Sequence, residues 1–315
     1  MADGTEGGDA PHLLYFYDAD FAPFTRVSLY SALEATPGPV RATLHPTEDD
    51  PALPLDLEAL RKVFPQADIA VRKVDLARYA HLRRGRLPLA ARARLLMPRL
   101  HSGRALYLDG DTLIRRSLRP LWREDLRGAC LGAALAPGVL VQRAQVAARA
   151  PGWRKAQQKL AKRSAKLDGI DMGRYVNNGV MVLDLDRIRA DGLDAAMADI
   201  ESTARYTSCD QDYMNVIFRG CIHLIDPTWN SGWGNPRTLE RFVPAGMRER
   251  FRASREDPEI VHFTGFEKPW SAPRPPFRLH LLTKPFERRS RARWWADFHT
   301  ACERTEAVLG RRLWP

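Results

Sequence analysis

The chain has 315 residues, 44% of them hydrophobic and 28% charged, with a formal net charge of +11. Such a composition gives a globular chain with ample core, built as one large α/β domain or two average ones, and the longest apolar stretch, Cys130 to Val141, is too short and too interrupted by Pro137 and glycine to span a bilayer. The charge calls for an anionic partner without choosing among nucleotide, nucleic acid and membrane, although residues 271–315, with ten Lys/Arg against four Asp/Glu, carry more than half of it.

Residues 1–10 are polar, acidic and Gly-rich. They predict a disordered tail over 1–11, no secretion signal and a cytoplasmic protein. His12–Tyr17 is a first strand ending at Asp18-Ala19-Asp20-Phe21, and Phe24–Leu33 follows with helical spacing. A strand, a polar turn and a helix open a nucleotide-binding α/β unit, yet no Gly-x-Gly-x-x-Gly is present, which disfavours a dinucleotide fold. Val40–His45 reads as a second strand, Leu55–Phe64 as a short helix and Ala67–Val74 as a third strand. Leu87–Leu100 predicts a basic helix carrying Arg92, Arg94 and Arg99, for which solvated arginines on an exposed face are the plain reading.

Next comes the stretch on which the chain turns. Ala105–Leu108 has the bulk of a buried strand and stops at Asp109-Gly110-Asp111. In open α/β sheets ligands sit beyond the carboxyl ends of the strands, so acids just past an apolar run fall in the crevice. Hard oxygen ligands there, with Gly110 removing a side chain between them, suit a magnesium- or manganese-like cation against a diphosphate. Asp18/Asp20, Asp184/Asp186 and Asp210/Asp212 have the same spacing, but only Asp109/Asp111 directly follows a strand and precedes a polar turn.

Cys130–Val141 reads as a strand pair and residues 143–168 as a helical surface insertion. Tyr175-Val176-Asn177-Asn178-Gly179 is an Asn-Asn-Gly turn feeding the apolar run to Leu183, either a hairpin turn or a close approach to a ligand. A helix over Arg187–Arg205 follows, then another opening at Ser208-Cys209-Asp210-Gln211-Asp212, where Ser208 or Asp210 serves as its cap. Cys221–Ile225 is a strand, and Trp229-Asn230 to Pro236 an aromatic loop suited to sugar stacking or to packing. A last strand ends at His262, with Gly265, Lys268 and Trp270 at short offsets before a Pro-rich exit. Cys130, Cys209, Cys221 and Cys302 lie far apart with no C-x-x-C pair, the pattern of reduced, buried thiols.

Together these stretches resemble the retaining glycosyltransferases of family 8, which include bacterial lipopolysaccharide galactosyl- and glucosyltransferases and glycogenin. The likeness covers about residues 12–270, in the family's order: Tyr107-Leu108-Asp109-Gly110-Asp111-Thr112 resembles its Asp-x-Asp strand end, Asn177-Asn178-Gly179-Val180 its Asn-x-Gly-Val segment, Asp210-Gln211-Asp212 with Asn215 its Asp-Gln-Asp-x-x-Asn segment, and His262-x-x-Gly265-x-x-Lys268-Pro269-Trp270 its closing signature. Arg94 is similar to its donor-binding arginine. The resemblance implies a GT-A type α/β fold, a Rossmann-like mixed sheet flanked by helices, over residues 12–270, with 271–315 a basic, Pro/Trp-rich C-terminal extension. It further implies a retaining hexosyltransferase taking galactose or glucose from a UDP-hexose to a saccharide or lipid-linked acceptor, as in lipopolysaccharide synthesis. Asp109, Asp111 and His262 would hold Mn2+, with Mg2+ the second choice. Asp18 and Phe21 would face uracil and ribose, and Arg94, Asn177 and Asp210 would grip the sugar. Gly110 and Gly265 would complete the donor wall, Lys268 would contact the diphosphate, and Gln211 would lie beneath the anomeric carbon. The match is weakest at the first strand end, where Phe16-Tyr17 precede Asp18 in place of smaller residues.

Two other readings compete. A metal-dependent nucleotidyl or phosphoryl transferase also uses paired aspartates and a lysine, but the chain lacks Gly-x-x-x-x-Gly-Lys. A basic nucleic-acid-binding protein uses the charge and the Arg/Trp tail, and leaves the acidic motifs without a role, so no nucleic-acid partner is expected. In the tail, Arg288, Arg289, Arg291, Arg293, Trp294 and Trp295 suit either a peripheral contact with the inner face of an anionic membrane or a helix packing its tryptophans on the catalytic domain.

Overall fold

The computed structural model describes residues 10–82, 88–233, 245–265, 268–271 and 285–313. The predicted tail, apart from Ala10 and Pro11, and the Pro-rich exit at 272–284 lie outside them. Strand β1 (His12–Tyr17) is buried along its whole length. Its unbroken apolar run suits a strand covered on both faces, and it pairs in parallel with β2 (Val40–Pro46). Between them runs α1 (Ala22–Ala35), opened by a proline in its first turn. Helix α2 (Leu53–Val63) leads to β3 (Ala67–Val71), which is shorter than the expected Ala67–Val74. Strand β4 (Arg104–Leu108) lies on the other side of β1.

Past β4 the chain changes sheets. Asp109, Gly110 and Asp111 form the corner, and β5 (Thr112–Ile114) belongs to a second, smaller sheet. β6 (Leu131–Leu135) is followed not by a second strand but by α3 (Pro137–Ala147). The strand pair expected over Cys130–Val141 is thus half helix, because Pro137 at the helix start presets a helical φ and cannot donate to a ladder. Helix α4 (Trp153–Lys166) pairs with α3. β7 (Val176–Asp184) runs antiparallel to both β4 and β6. Asn177, Asn178 and Gly179 accordingly lie inside a strand and make no turn; they sit where the pairing with β6 is irregular, between the paired Val176 and Met181, and the Gly179 carbonyl accepts from the Asp109 amide at 2.8 Å.

The helix expected over Arg187–Arg205 breaks at Gly192, whose φ is +70°, into Leu185–Ala190, Leu193–Met197 and a 3-10 turn at Ile200–Arg205. Helix α5 (Cys209–Ile217) and β8 (Ile222–Leu224) follow, then β9 (Ser231–Gly232), α6 (Ala245–Glu256), β10 (Ile260–His262) and α7 (Pro285–Leu309). Among the described residues the large sheet has the order β3-β2-β1-β4-β7-β6-β8 and the small one β5-β10-β9. The result is the mixed α/β architecture expected.

Two cores lie on the faces of the large sheet, and a third joins α1, the small sheet and α7. In that third core Trp294 and Phe298 of α7 are fully buried, Phe298 meets Phe263 at 5.1 Å, and Phe24 of α1 stacks on Trp270 at 3.7 Å. Burying each such aromatic stabilises the fold by roughly 1.5–3 kcal/mol, and Trp294 points into the protein, as the packing reading of the tail requires. Near the C-terminus Arg311 grips Asp56 through Nε (2.9 Å) and Nη2 (2.6 Å), and Arg26 reaches the same carboxylate at 3.1 Å and Asp50 at 2.5 Å.

The reading of four reduced cysteines is overturned. Cys130 and Cys221 form a disulfide, with Cα atoms 5.5 Å apart, while Cys209 and Cys302 are free and buried. The pairing joins the residues that precede β6 and β8, neighbouring parallel strands separated by 91 positions, which spacing along the chain does not reveal.

Candidate active site

The chain's change of sheet builds the site. β10 pairs with β5 antiparallel, with His262 opposite Thr112, so the last residue of β10 lands beside the Asp109–Asp111 corner. His262 Nε2 stands 3.1 Å from Asp111 Oδ1 and 3.5 Å from Asp109 Oδ2. Single donor atoms of the three residues all lie within 4.8 Å of one another. Lys268 Nζ reaches Asp111 Oδ2 at 2.5 Å and also bonds the Phe263 carbonyl. Burial pushes the Asp111 carboxyl up, but the Lys268 ammonium and His262 outweigh it and hold Asp111 below the usual carboxylate range.

The hydrogen-bond network fixes the His262 tautomer. The Gly179 amide can only donate, and it donates to Asn177 Oδ1 at 3.0 Å, so the Asn230 group at 2.8 Å from that same oxygen is its NH2. Asn230 therefore turns its own oxygen to His262 Nδ1, 2.8 Å away, and Nδ1 carries the proton. In the neutral ring the Nε2 lone pair then faces two carboxylates. Three electron-rich groups aimed at one point fit a cation, and an outer partner on the far ring nitrogen is how metal-binding histidines are oriented. Gly179 leaves the room: a Cβ there would stand 2.6 Å from His262 Nδ1 and 2.8 Å from Asp109 Oδ2. Gly110 is required for a different reason, since its Cβ would collide with the Thr25 hydroxyl on α1; packing, not only ligand access, demands it.

Arg94 is not a solvated surface residue. It is buried, with Nη2 2.9 Å from Asp109 Oδ1, Nε 3.4 Å from Asp210 Oδ2 and Nη1 donating to the Asn178 carbonyl at 3.0 Å, and its guanidinium lies 4.5 Å from the Tyr107 ring centre. Burial opposes its charge, but Asp109, Tyr107 and Asp210 more than compensate and keep it protonated. Burial raises the Asp210 carboxyl, with Arg94 pulling the other way. Arg92 is buried as well, donating to Thr203 Oγ1 at 2.9 Å and Cys209 Sγ at 3.1 Å, whereas Arg99 is exposed as expected. The basic helix that was to carry them is two short α-turns, Ala90–Ala93 and Met97–Leu100, joined by a 3-10 turn; Leu87, its expected start, lies outside the described residues.

Gln211 is held at both ends, its oxygen accepting from Asn177 Nδ2 at 2.8 Å and its NH2 donating to the Tyr175 hydroxyl at 2.9 Å. Tyr175 donates in turn to Asp212 Oδ1 at 2.6 Å, and Arg163 of α4 pairs with the same oxygen at 2.7 Å. Ser208 is the N-cap residue of α5, but its side chain makes no capping bond; instead Asp212 Oδ2, within the helix, accepts from the Ser208 amide at 2.8 Å. A cavity of about 550 Å³ adjoins Asn177 and Gln211, with Gly265 on its rim. Asp18 sits at the end of β1, its carboxylate accepting from the Phe21 amide at 3.1 Å, and Phe21 joins the aromatic group around Phe24. Both lie at the same sheet edge as Asp109, without a direct bond to the acid cluster among the described contacts. Asn230, Tyr175 and Arg163 escape a reading by motif. The one available signal for Asn230 is its place in the Trp229-to-Pro236 loop.

The sequence pattern of glycosyl transferase family 8 matches residues 12–273. General stress protein A of Bacillus subtilis (strain 168) is 24% identical over 209 residues, 64% of this chain and 66% of that protein. Among solved structures, the galactosyltransferase LgtC in complex with donor and acceptor sugar analogs aligns with a TM-score of 0.66 at 20% identity, over 89% of this chain and 95% of its own. The bifunctional glycosyltransferase WbbM aligns with a TM-score of 0.66 at 17% identity, over 93% of this chain but about half, 53%, of its own length. Mouse xyloside xylosyltransferase 1 gives 0.53 at 18% identity, over 81% and 98%. These structural likenesses establish the GT-A fold.

Proposed function

This chain belongs to glycosyl transferase family 8, and from that premise we propose that it is a retaining glycosyltransferase that moves a hexose, galactose or glucose, from a UDP-sugar to an acceptor hydroxyl in cell-envelope saccharide synthesis. One observation carries the reading: two strand-end carboxylates, an imidazole with a fixed tautomer and a lysine converge at the corner between β4 and β5.

Asp109, Asp111 and His262 would hold a divalent cation, and their mixed oxygen and imidazole set suits manganese better than magnesium. Such a cation supplies Lewis-acid neutralisation of the charge that grows on the departing diphosphate. Lys268 brings a second positive charge to the same oxygens. Asp18 and Phe21 face the nucleoside, Gly110 and Gly265 let the diphosphate approach the backbone, and Arg94 with Asn177 and Asp210 orients the sugar hydroxyls. Gln211 lies beneath the anomeric carbon. An amide is a poor nucleophile, and this one is held by Asn177 and Tyr175, so the acceptor attacks from the leaving-group face. The acceptor is a saccharide, free or lipid-linked.

Among the described residues no helix is long and apolar enough to cross a membrane. Cytoplasmic action belongs to this reading. The Cys130–Cys221 bond argues the other way, because disulfides persist in oxidising compartments. Thiol titration of protein drawn from the cytoplasm of its host decides between them.

The direct test is UDP release from a panel of UDP-sugars, without acceptor, with and without Mn2+. Release from UDP-galactose or UDP-glucose only when Mn2+ is present is the expected outcome. No release from any member of the panel overturns the reading.

A further inference from the structure

The cavity beside Gln211 has an outer wall that the donor reading leaves without a role. One face of α4 supplies it: Gly152, Lys155, Ala156, Lys159 and Arg163 all line the space. Their spacing of three and four residues is that of a single helical stripe. Across from them stand Gln142 and Gln145 of α3. The lining contains three bases and no Asp or Glu.

Lys155 and Lys159 serve no evident structural purpose. Trp153–Lys166 carries six Lys/Arg and no acid, so Lys155, Lys159 and Arg163 repel along the helix at i,i+4. Lys155 also sits in the first turn, where the helix dipole disfavours a cation. Arg163, at the Gln211 end, is neutralised by Asp212 at 2.7 Å. Lys155 and Lys159 are exposed and have no carboxylate within ion-pair distance among the described residues. Two lysines that repel each other along their helix, unpaired among the described residues and lining the same cavity as Gln211, are placed for an incoming negative charge.

We propose that the acceptor is an anionic saccharide, and that Lys155 and Lys159 bind its phosphate or carboxylate while its hydroxyl reaches the site beside Gln211. The inference rests on the transferase reading above and adds the acceptor's chemical class. The rise of an α-helix places Lys159 about 6 Å and Lys155 about 12 Å beyond Arg163 along α4, so the charge lies away from the accepting hydroxyl and not on the carbon that bears it.

The test uses the full chain with Mn2+ and UDP, titrated with three matched probes: octyl glucoside, octyl glucoside 6-phosphate and octyl glucuronide. Either charged probe is expected to bind about 10-fold or more tighter than the neutral one, as charge-assisted contacts dictate. Lys155→Glu/Lys159→Glu should abolish that preference while circular dichroism and the melting temperature stay near wild type. Lys155→Gln/Lys159→Gln should give an intermediate loss, and added salt should weaken only the charged probes. A phosphate preference over the glucuronide identifies a phosphorylated acceptor, and the reverse a uronate. Equal or absent binding of charged and neutral probes overturns the inference, as does a preference that survives the charge reversal. Acceptor-free UDP release, measured on the same wild-type preparation, separates the failures: release without charge preference sinks only the acceptor class, whereas no release sinks the transferase reading beneath it.

Discussion

The amide oxygen of Asn230 accepts a hydrogen bond from Nδ1 of His262 across 2.8 Å, and through it a residue from an aromatic loop sets which nitrogen His262 turns toward Asp109 and Asp111. Removing the oxygen frees the ring to turn. Asn230→Ala is expected to weaken Mn2+ binding about 10- to 100-fold, the usual effect of losing an outer partner of a metal-binding histidine. Manganese titration followed by electron paramagnetic resonance measures it, and unchanged affinity would remove Asn230 from this role.

Gly179 tests the same point from the opposite side. A Cβ at that position would stand 2.6 Å from His262 Nδ1 and 2.8 Å from Asp109 Oδ2. Gly179→Ala should therefore displace both groups and lower Mn2+-dependent UDP release by about 100-fold or more, since errors near 1 Å carry penalties of that size. The Gly179 carbonyl still accepts from the Asp109 amide at 2.8 Å, so a near-native circular dichroism spectrum accompanies the loss. Wild-type turnover in the variant would show that the imidazole and carboxylate need not converge.

Asp210 is buried against Arg94, which keeps a second carboxylate in Asp109. Asp210→Asn retains shape and removes one charge. UDP release should fall by about 100- to 1000-fold through lost orientation and electrostatics. Normal activity in this variant would take Asp210 out of the chemistry.

Three histidines make the fold acid-sensitive. His45 Nδ1 lies 2.7 Å from the Arg72 carbonyl, which only accepts, so that nitrogen is protonated and Nε2 accepts from His101 Nε2 at 2.7 Å. Burial pushes His12 and His101 down from 6.5 to about 4 and His45 to about 3, with nearby arginines adding to the shift. The unfolded chain takes up protons near pH 6.5 that the folded chain refuses until about pH 4. Stability is therefore full above about pH 7 and declines as pH falls through that window. Urea midpoints at pH 7.5, 6 and 5 should decline, with a shallower decline in His45→Gln/His101→Gln. Parallel profiles for the two proteins would exclude the pair as the cause.

Phe298 anchors the C-terminal helix between the small sheet and α1. Phe298→Ala should cost about 3–5 kcal/mol of stability, read as a lower denaturant midpoint. The tail's membrane reading meets its own test in liposome flotation. A chain ending near Pro273 that floats as well as the full chain would end it.

Much of this protein is legible locally. An apolar run with two acids behind it states where a strand stops and a crevice begins, and the four motifs, in order, state the family, because each is confined to a few consecutive residues. Elements also read well where one segment decides its own geometry, as in β1, β4 and α1. Local rules failed where partners overrule them. Asn-Asn-Gly favours a turn in isolation, yet the ladder pairs of Val176 on one side and Val180 to Leu183 on the other hold the segment between them within the strand.

Arg92 and Arg94 look like surface residues until Asp109, Asp210 and Thr203 arrive from elsewhere in the chain to meet them. Cys130 found Cys221 only when β6 and β8 became neighbours. The sequence by itself determined which residue types could hold a cation and a diphosphate. The tertiary structure alone decided that His262 faces Asp111, that Asn230 orients it, and that Lys155 and Lys159 line the same cavity as Gln211. Those relations depend on register between β5 and β10 and on how α4 packs, and both are fixed by contacts among segments distant along the chain.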